Sequence, residues 1–270
     1  MPELPEINHL ARQMHRTLRG RRIVSVEVRQ PKCLNVTPRR FAGLLRAKTI
    51  DRVASRGKWI FAHLAPDATL LVSLGMGGDL LLHKPGGRLP ARYQLKLGFA
   101  DRSCLTIAFW WFGYAHALPD GKRAAHKMTA GLGLDPLSRS EFTLARFRAR
   151  LAGRRGAIKS LLMDQHQIAG IGNVYIQDIL FQARLHPHRP IPEITAAEAV
   201  RLHRVIAGNL AAAAKRGGLA YEKDLYNRPG GIRKFLVGYR PGKPCPRCGA
   251  AIRKIRTGGT ASFICPRCQT

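Results

Sequence analysis

Cys245-Pro246-Arg247-Cys248 and Cys265-Pro266-Arg267-Cys268 leave the last 26 residues of the chain little choice of structure. Each Cys-x-x-Cys turn can bring two thiolates to one ion. Two such turns, with sixteen residues between them, complete a four-thiolate tetrahedral site. No coordination position stays open, so the expected metal is one structural zinc held by Cys245, Cys248, Cys265 and Cys268. Between the turns, Ile252–Thr257 and Thr260–Ile264 alternate about Gly258-Gly259, the pattern of a hairpin with a two-residue turn. Arg253, Lys254 and Arg256 make that hairpin basic. Cys33 and Cys104 stand alone and read as small apolar residues.

Hydrophobic periodicity divides the rest of the chain. Leu4, Ile7, Leu10, Met14 and Leu18 recur at three- and four-residue steps, predicting a helix over 4–18 that Gly20 ends. From Ile23 to Leu118 the period falls to two in segments such as Ile23–Val28, Trp59–Leu64 and Leu95–Phe99. Turn signals recur at Pro66-Asp67, Gly77-Gly78-Asp79, Pro85-Gly86-Gly87 and Asp101-Arg102, so a β-sandwich or barrel is expected. The apolar run from Leu105 to Leu118 reads as buried strand. Beyond a linker at Leu132–Leu137 the pattern is helical. Ser138–Glu141 looks like a capping box opening a helix to about Ala152, and a short helix covers 157–163. Asn173 is placed to cap a helix over 174–183. Thr195-Ala196-Ala197-Glu198 is a second capping box, and its helix ends near Gly217-Gly218. The expected fold class is α+β. An N-terminal helix and β-sandwich occupy 1–130, a linker 131–138, a helical domain 139–240 and the zinc module 241–270.

Charge narrows the partner. Lys+Arg number 46 against 16 Asp+Glu, a net +30, while 45 % hydrophobic residues suffice for real cores. Self-repulsion at that charge is relieved by a polyanion, and nucleic acid is the leading one. No apolar stretch of about 18 residues suggests a membrane span. Met1-Pro2-Glu3-Leu4-Pro5-Glu6 lacks the basic start and apolar core of a secretory signal. A soluble, intracellular protein with no membrane partner is expected.

One segment carries a phosphate-binding pattern. Gly170 and Gly172 allow close backbone approach just before a helix N-terminus, where free N–H groups and the helix dipole suit an anion. Asn173 adds a side-chain donor, and Lys159, one short helix earlier, can add charge. The run Leu161-Leu162-Met163-Asp164-Gln165-His166-Gln167-Ile168-Ala169-Gly170-Ile171-Gly172-Asn173-Val174-Tyr175, followed by Leu185-His186-Pro187, resembles the helix-two-turn-helix signature of the formamidopyrimidine-DNA glycosylase / endonuclease VIII family. Pro2-Glu3-Leu4-Pro5-Glu6, the lysine of Arg56-Gly57-Lys58-Trp59 and the closing four-cysteine hairpin fall in the family's order.

The resemblance implies a bifunctional DNA glycosylase and abasic-site lyase of base excision repair, acting as a monomer on damaged double-stranded DNA. Once Met1 is removed, Pro2 would present a secondary amine. An α-amino group of ordinary pKa, about 7.7–8.0, is partly neutral and nucleophilic near pH 7. Attack on the sugar C1′ would expel the base and leave an iminium, from which β- and δ-elimination follow. Glu3 would move protons, with Glu6 either supporting it or only capping the helix. By themselves Pro2, Glu3 and Glu6 equally suit the first turn of any helix. The resemblance also places Lys58 at a phosphate near the lesion and Met76 and Phe112 in the gap left by the extruded nucleotide. Met76 alone could equally be a core residue, although its flanking glycines favour an exposed loop.

Four departures bear on the lesion. Phe109-Trp110-Trp111-Phe112-Gly113 stands where members active on 8-oxoguanine carry Asp-Pro-Arg-Arg-Phe-Gly, so Trp110 replaces the arginine that faces the orphaned base. Weaker opposite-base selectivity is expected. Thr260 occupies the place of a phosphate-clamping arginine, and Arg256 is placed to compensate from across the turn. Asp178 stands where glutamate is usual, and residues 221–234, where the family caps a flipped purine, are atypical. Formamidopyrimidines and 8-oxoguanine lead, with oxidised pyrimidines or bulkier adducts as the alternative and a catalytically silent DNA-binding protein as the rival class.

Overall fold

A computed structural model describes residues 2–270. Helices and strands run in the order α1 (Leu4–Leu18), β1 (Ile23–Val28), α2 (Pro38–Leu45), β2 (Thr49–Arg56), β3 (Trp59–Ala65), β4 (Ala68–Ser73), β5 (Asp79–His83), β6 (Leu95–Phe99), β7 (Cys104–Ala108), β8 (Tyr114–Pro119), α3 (Leu144–Leu151), α4 (Ile158–Met163), α5 (Tyr175–Ala183), α6 (Ala196–Lys215), β9 (Arg253–Thr257) and β10 (Thr260–Ile264). They form two units. One takes residues up to Gly131 together with Ala214–Gly231, and the other takes Leu132–Ala213 together with Ile232–Thr270. The linear division expected from the sequence has no counterpart to this exchange of residues 214–231.

In the first unit the period-two segments pair into two four-stranded antiparallel sheets, β1-β6-β7-β5 and β2-β3-β4-β8. The α1 stripe of Ile7, Leu10, Met14 and Leu18 joins both sheets in one core, with Ile60, Leu70 and Val72 from one and Leu80, Leu97 and Ile107 from the other. Each such side chain contributes roughly 1.5–3 kcal/mol by leaving water. Leu225, far along the chain, lies in the same core at 0 % exposure. Its N–H donates to Gln13 Oε1 at 2.9 Å, and its carbonyl accepts from Leu82 N at 2.9 Å. Gln13 Nε2 in turn donates to Asp224 Oδ2 at 2.9 Å.

Two features of this unit differ from the sequence reading. An extra helix, α2, interrupts the strands: Thr37 Oγ1 accepts from Arg40 N, Pro38 occupies the first turn, and Phe41 and Leu45 are buried. The run from Leu105 to Leu118 is also not one buried strand. It is β7 and β8 joined by an exposed aromatic turn. Hydropathy could not separate the two, because both are apolar.

The second unit holds α3–α5, most of α6 and the β9–β10 hairpin. The capping box at Thr195 forms as expected, with Thr195 N donating to Glu198 Oε2 at 2.9 Å and Glu198 N to Thr195 Oγ1 at 3.2 Å. The one expected at Ser138 does not start α3. Ser138–Glu141 is a turn, and the helix begins after Thr143, whose Oγ1 accepts from Arg146 N at 3.3 Å. Residues 132–137 do not dangle. Leu134 is 6 % exposed. Its N–H donates to Gln167 O at 3.0 Å, and its carbonyl accepts from Ala169 N at 2.8 Å, inside the glycine-bearing turn. Among the described residues no helix is long and apolar enough to cross a membrane.

Candidate functional site

The start of α1 is where the first unit concentrates buried carboxylates. Glu3 is the N-cap, and a reciprocal capping box forms: its side chain accepts from the Glu6 backbone, while Glu3 N donates to Glu6 Oε2 at 2.9 Å. Glu3 is 2 % and Glu6 3 % exposed, and Pro2 beside them is buried. The second oxygen of Glu6, Oε1, accepts from Leu219 N at 3.0 Å. A Cβ on Gly218, at φ +83°, would lie 2.3 Å from that oxygen, so glycine is required there. Glu6 therefore works as a fixed strut that aligns the Glu3 backbone. Met1 lies outside the described residues.

Glu222 is a third buried carboxylate of this unit, 8 % exposed, and the sequence reading missed it. Burial pushes its pKa up, and the Asp79 and Glu3 carboxylates push the same way. A carboxyl that holds its proton more readily than usual, near Glu3, can donate as well as accept. No motif marks Glu222; only the fold brings it there.

Lys58 is half-buried and sits in the two-residue turn between β2 and β3, opened by Gly57 at φ +56°. Asn8 Nδ2 donates to Ser55 Oγ at 3.1 Å, so α1 holds the strand end that carries this turn. Met76 and Phe112 are exposed on two loops joined back to back, with Met76 N donating to Trp111 O at 2.8 Å. Pro2, Glu3, Glu6, Lys58, Met76 and Phe112 thus all belong to the first unit.

The second unit treats its candidates less uniformly. Asn173 does not cap α5. The N-cap is Val174, with no side-chain bond, and Asn173 Oδ1 accepts from Gln177 Nε2 at 3.1 Å. With its oxygen engaged by Gln177, Asn173 braces the first turn of α5 from outside it. The preceding turn is pinned by one side chain: Gln165 Oε1 accepts from Gly170 N at 2.8 Å, and Gln165 Nε2 donates to Ile171 O at 2.8 Å.

Lys159 is not a surface cation. It is 3 % exposed, and its ammonium donates into the hairpin: Thr257 Oγ1 at 2.9 Å, Thr260 Oγ1 at 2.9 Å, Ser262 Oγ at 2.8 Å and Ala261 O at 3.1 Å. Burial pushes its pKa down to about 8. The expectation that Lys159 grips phosphate directly is therefore corrected: it is a positioning residue for the hairpin. Gln177, also missed, does the same from α5, donating to Ala261 O at 3.3 Å and accepting from Phe263 N at 2.9 Å. Arg256 is exposed and pairs across the hairpin with Ala261, while Thr260 pairs with Thr257. Arg256 and Thr260 still line one shallow cleft of about 390 Å3, together with Lys254 and Gly259. Asp178 accepts from Leu236 N, Val237 N and Gly238 N at 2.7, 3.0 and 3.1 Å, so its carboxylate anchors the approach to the zinc module.

The cysteines fit the metal. The four Sγ atoms lie within 4.8 Å of one another, with Cys248–Cys265 at 3.4 Å and Cys245–Cys268 at 3.9 Å. Zinc–thiolate bonds of about 2.3 Å place tetrahedral sulfurs about 3.8 Å apart. Among the described residues no disulfide forms, and Phe181, Val237, Ile252 and Phe263 pack round the cluster. It is a structural one-zinc site.

Known proteins share this combination. Residues 1–108 match the formamidopyrimidine-DNA glycosylase N-terminal domain, 132–223 its H2TH domain, and 242–270 the zinc finger found in FPG and IleRS. The chain belongs to the formamidopyrimidine-DNA glycosylase family. A formamidopyrimidine-DNA glycosylase of Chloroflexus aurantiacus is 35 % identical over 274 residues, covering 100 % of this chain and 98 % of that protein. One from Streptococcus pneumoniae is 32 % identical, covering 100 % and 99 %. Lactococcus lactis Fpg in complex with DNA containing N7-benzyl-Fapy-dG superposes with a TM-score of 0.92 at 28 % identity, with 99 % of each chain covered. The same enzyme with abasic-site DNA gives 0.90 at 28 % identity over 99 % of each chain. Trp110 and Thr260, the two positions where the resemblance leads one to expect arginine, differ in their surroundings. A buried lysine stands behind Thr260, and nothing cationic stands on the turn at Trp110.

Proposed function

We infer that this chain is a DNA glycosylase of base excision repair that also cleaves the strand, using Pro2 as the nucleophile. The observation that carries the reading is the buried, pre-set N-terminus: Glu3, 2 % exposed, with its backbone locked 2.9 Å from Glu6. With Met1 gone, the Pro2 nitrogen attacks C1′ of an extruded nucleotide and the base leaves with its bonding electron pair. The resulting iminium draws electrons from C2′, whose proton is lost as the 3′ phosphate departs; a second elimination releases the 5′ phosphate. Glu3 holds the protons for ring opening and elimination, and Glu222 is the neighbouring carboxyl able to share them. Lys58, Asn173 and Arg256 hold backbone phosphates, while Lys159 presents the hairpin. Met76 and Phe112 fill the gap in the stack. The zinc keeps the hairpin folded and takes no part in the chemistry.

Borohydride trapping on abasic-site DNA tests this. Protein verified to begin at Pro2 is expected to give a covalent adduct, lost in Pro2→Gly and strongly reduced in Glu3→Gln. Absence of the adduct would leave the silent DNA-binding reading standing. Formamidopyrimidines and 8-oxoguanine are the proposed bases. One observation favours oxidised pyrimidines instead: Leu225, in the segment the family uses to cap a flipped purine, is fixed in the core at 0 % exposure. A lesion panel decides, and better cleavage of pyrimidine lesions would reverse the order.

A further inference from the structure

Three consecutive aromatic side chains stand in solvent between β7 and β8. Trp110 is 79 %, Trp111 64 % and Phe112 67 % exposed, and Met76 beside them is 41 % exposed. Contiguous exposed rings on a soluble domain mark a place where something binds.

The turn is held, not loose. Met76 N donates to Trp111 O at 2.8 Å, and Trp111 N to Met76 O at 3.4 Å. Two glycines permit the fit: a Cβ on Gly75 would fall 2.0 Å from Trp111 O, and one on Gly113 would fall 2.1 Å from the Phe109 ring. Phe109 is clamped in turn, donating its N–H to Gln94 Oε1 at 2.7 Å and accepting from Gln94 Nε2 at 3.0 Å. The Trp110 indole lies over Gly77, 3.3 Å from where a Cβ would stand. Rings displayed on a fixed backbone lose little freedom on binding.

Charge is withheld from the same place. Residues 59–83 and 103–121, which carry both loops, contain no Lys or Arg, in a chain with 46 of them. The two loops themselves therefore offer ring faces and no cation; Lys223, which reaches the Met76 side from elsewhere in the chain, is paired with Asp79 at 2.9 Å. An aromatic face stacks on any nucleobase. The single N–H of an indole cannot make the paired contacts that distinguish one base edge from another.

We propose that Trp110 and Trp111 form a stacking platform for unpaired bases, so that the chain accepts damaged nucleotides opposite any base and also in bubbles and single strands. The proposal rests on the reading of the chain as a DNA glycosylase. It is tested by binding, so that a failure of the Pro2 chemistry and a failure of the platform are told apart.

The probe is DNA carrying a stable tetrahydrofuran abasic analogue, measured at fixed moderate salt by fluorescence anisotropy. Duplexes with A, C, G or T opposite the analogue are expected to bind within about threefold of one another, and the single strand within about tenfold of the duplexes. With 2-aminopurine opposite the analogue, emission falls on binding as the base stacks. Trp110→Ala combined with Trp111→Ala, both at exposed positions, weakens single-strand binding by about tenfold or more and abolishes the quenching. Trp110→Arg introduces a preference of about tenfold for one opposing base. A preference beyond about tenfold in the unsubstituted protein, or single-strand binding untouched by the double replacement, would overturn the proposal.

Discussion

Lys159 is 3 % exposed and Trp110 is 79 % exposed, the reverse of where lysine and tryptophan usually lie. Under the zinc hairpin, a cation has been drawn inside and surrounded by four oxygens. At the β7–β8 turn, large apolar rings have been pushed into water and braced from behind by glycine contacts and the Gln94 clamp. Each inversion costs free energy that the fold alone does not require. The two regions solve opposite problems: one keeps its charge behind a layer of hydroxyls, and the other displays ring area on loops that carry no charge of their own.

Chelating the zinc should have the largest effect, since thiolate coordination contributes on the order of 10 kcal/mol to folding of such modules. Hydrogen exchange is then expected to show β9 and β10 unprotected, and the amides around Trp111 unchanged; loss of protection at both would join the regions. Lys159→Met removes the donor shared by three hydroxyls and by the Ala261 carbonyl, which keeps only its bond from Gln177, and is expected to lower unfolding free energy by about 3 kcal/mol.

A pH series separates the regions by range: both lowered pKa values make stability rise with pH, but over different windows. Beside the aromatic turn, His116 lies 2.8 Å from His126, and burial followed by the neighbouring imidazole lowers its pKa to about 4 from 6.5. The unfolded chain then binds more protons between those values, so stability falls as pH drops through that window, by up to about 3 kcal/mol. Lys159, at about 8 against an ordinary 10.5, makes stability rise as pH climbs from 8. Denaturation midpoints should show His116→Gln flattening the acid limb and Lys159→Met the alkaline one. Gly75→Ala, at φ +57° and with its Cβ 2.0 Å from Trp111 O, is expected to cost about 2 kcal/mol or more and to displace the β7–β8 turn, read as a change in tryptophan fluorescence. Trp110→Ala should change stability by less than about 0.5 kcal/mol. A large loss there would mean the ring is packed after all.

Much of this was legible from residue order. The α1 stripe ends at Leu18 as its spacing predicts, β1 and β6 begin and end where alternation does, and the cysteine spacing closes on itself. Motif order singles out Pro2 and Glu3, which the structure buries, and Met76 and Phe112, which it exposes on joined loops. The failures have a common cause. Lysine reads as surface charge and the run from Leu105 to Leu118 as buried strand, because hydropathy reports what a side chain prefers, not where the backbone takes it. Glu222 and Gln177 act through contacts made far along the chain, 84 residues apart for Gln177 and Ala261, and no local pattern encodes such a meeting. Thr143 outcompeted Ser138 as a cap because the helix behind it starts with the apolar Leu144 and buries Phe147.

The contribution of Leu225 to the first core sets the order in which the protein can be finished during synthesis. The unit that ends its first run at Gly131 waits for Ala214–Gly231 before its core and the Glu6–Leu219 bond are complete. At about 5–20 residues per second the ribosome needs roughly 5–20 s to cover that interval. Through that time the nascent N-terminal half has an apolar gap and an unanchored Glu6. The residues proposed for catalysis therefore reach their working arrangement only after most of the second unit has been made, and a chain cut short before residue 231 would leave the ribosome without them in place.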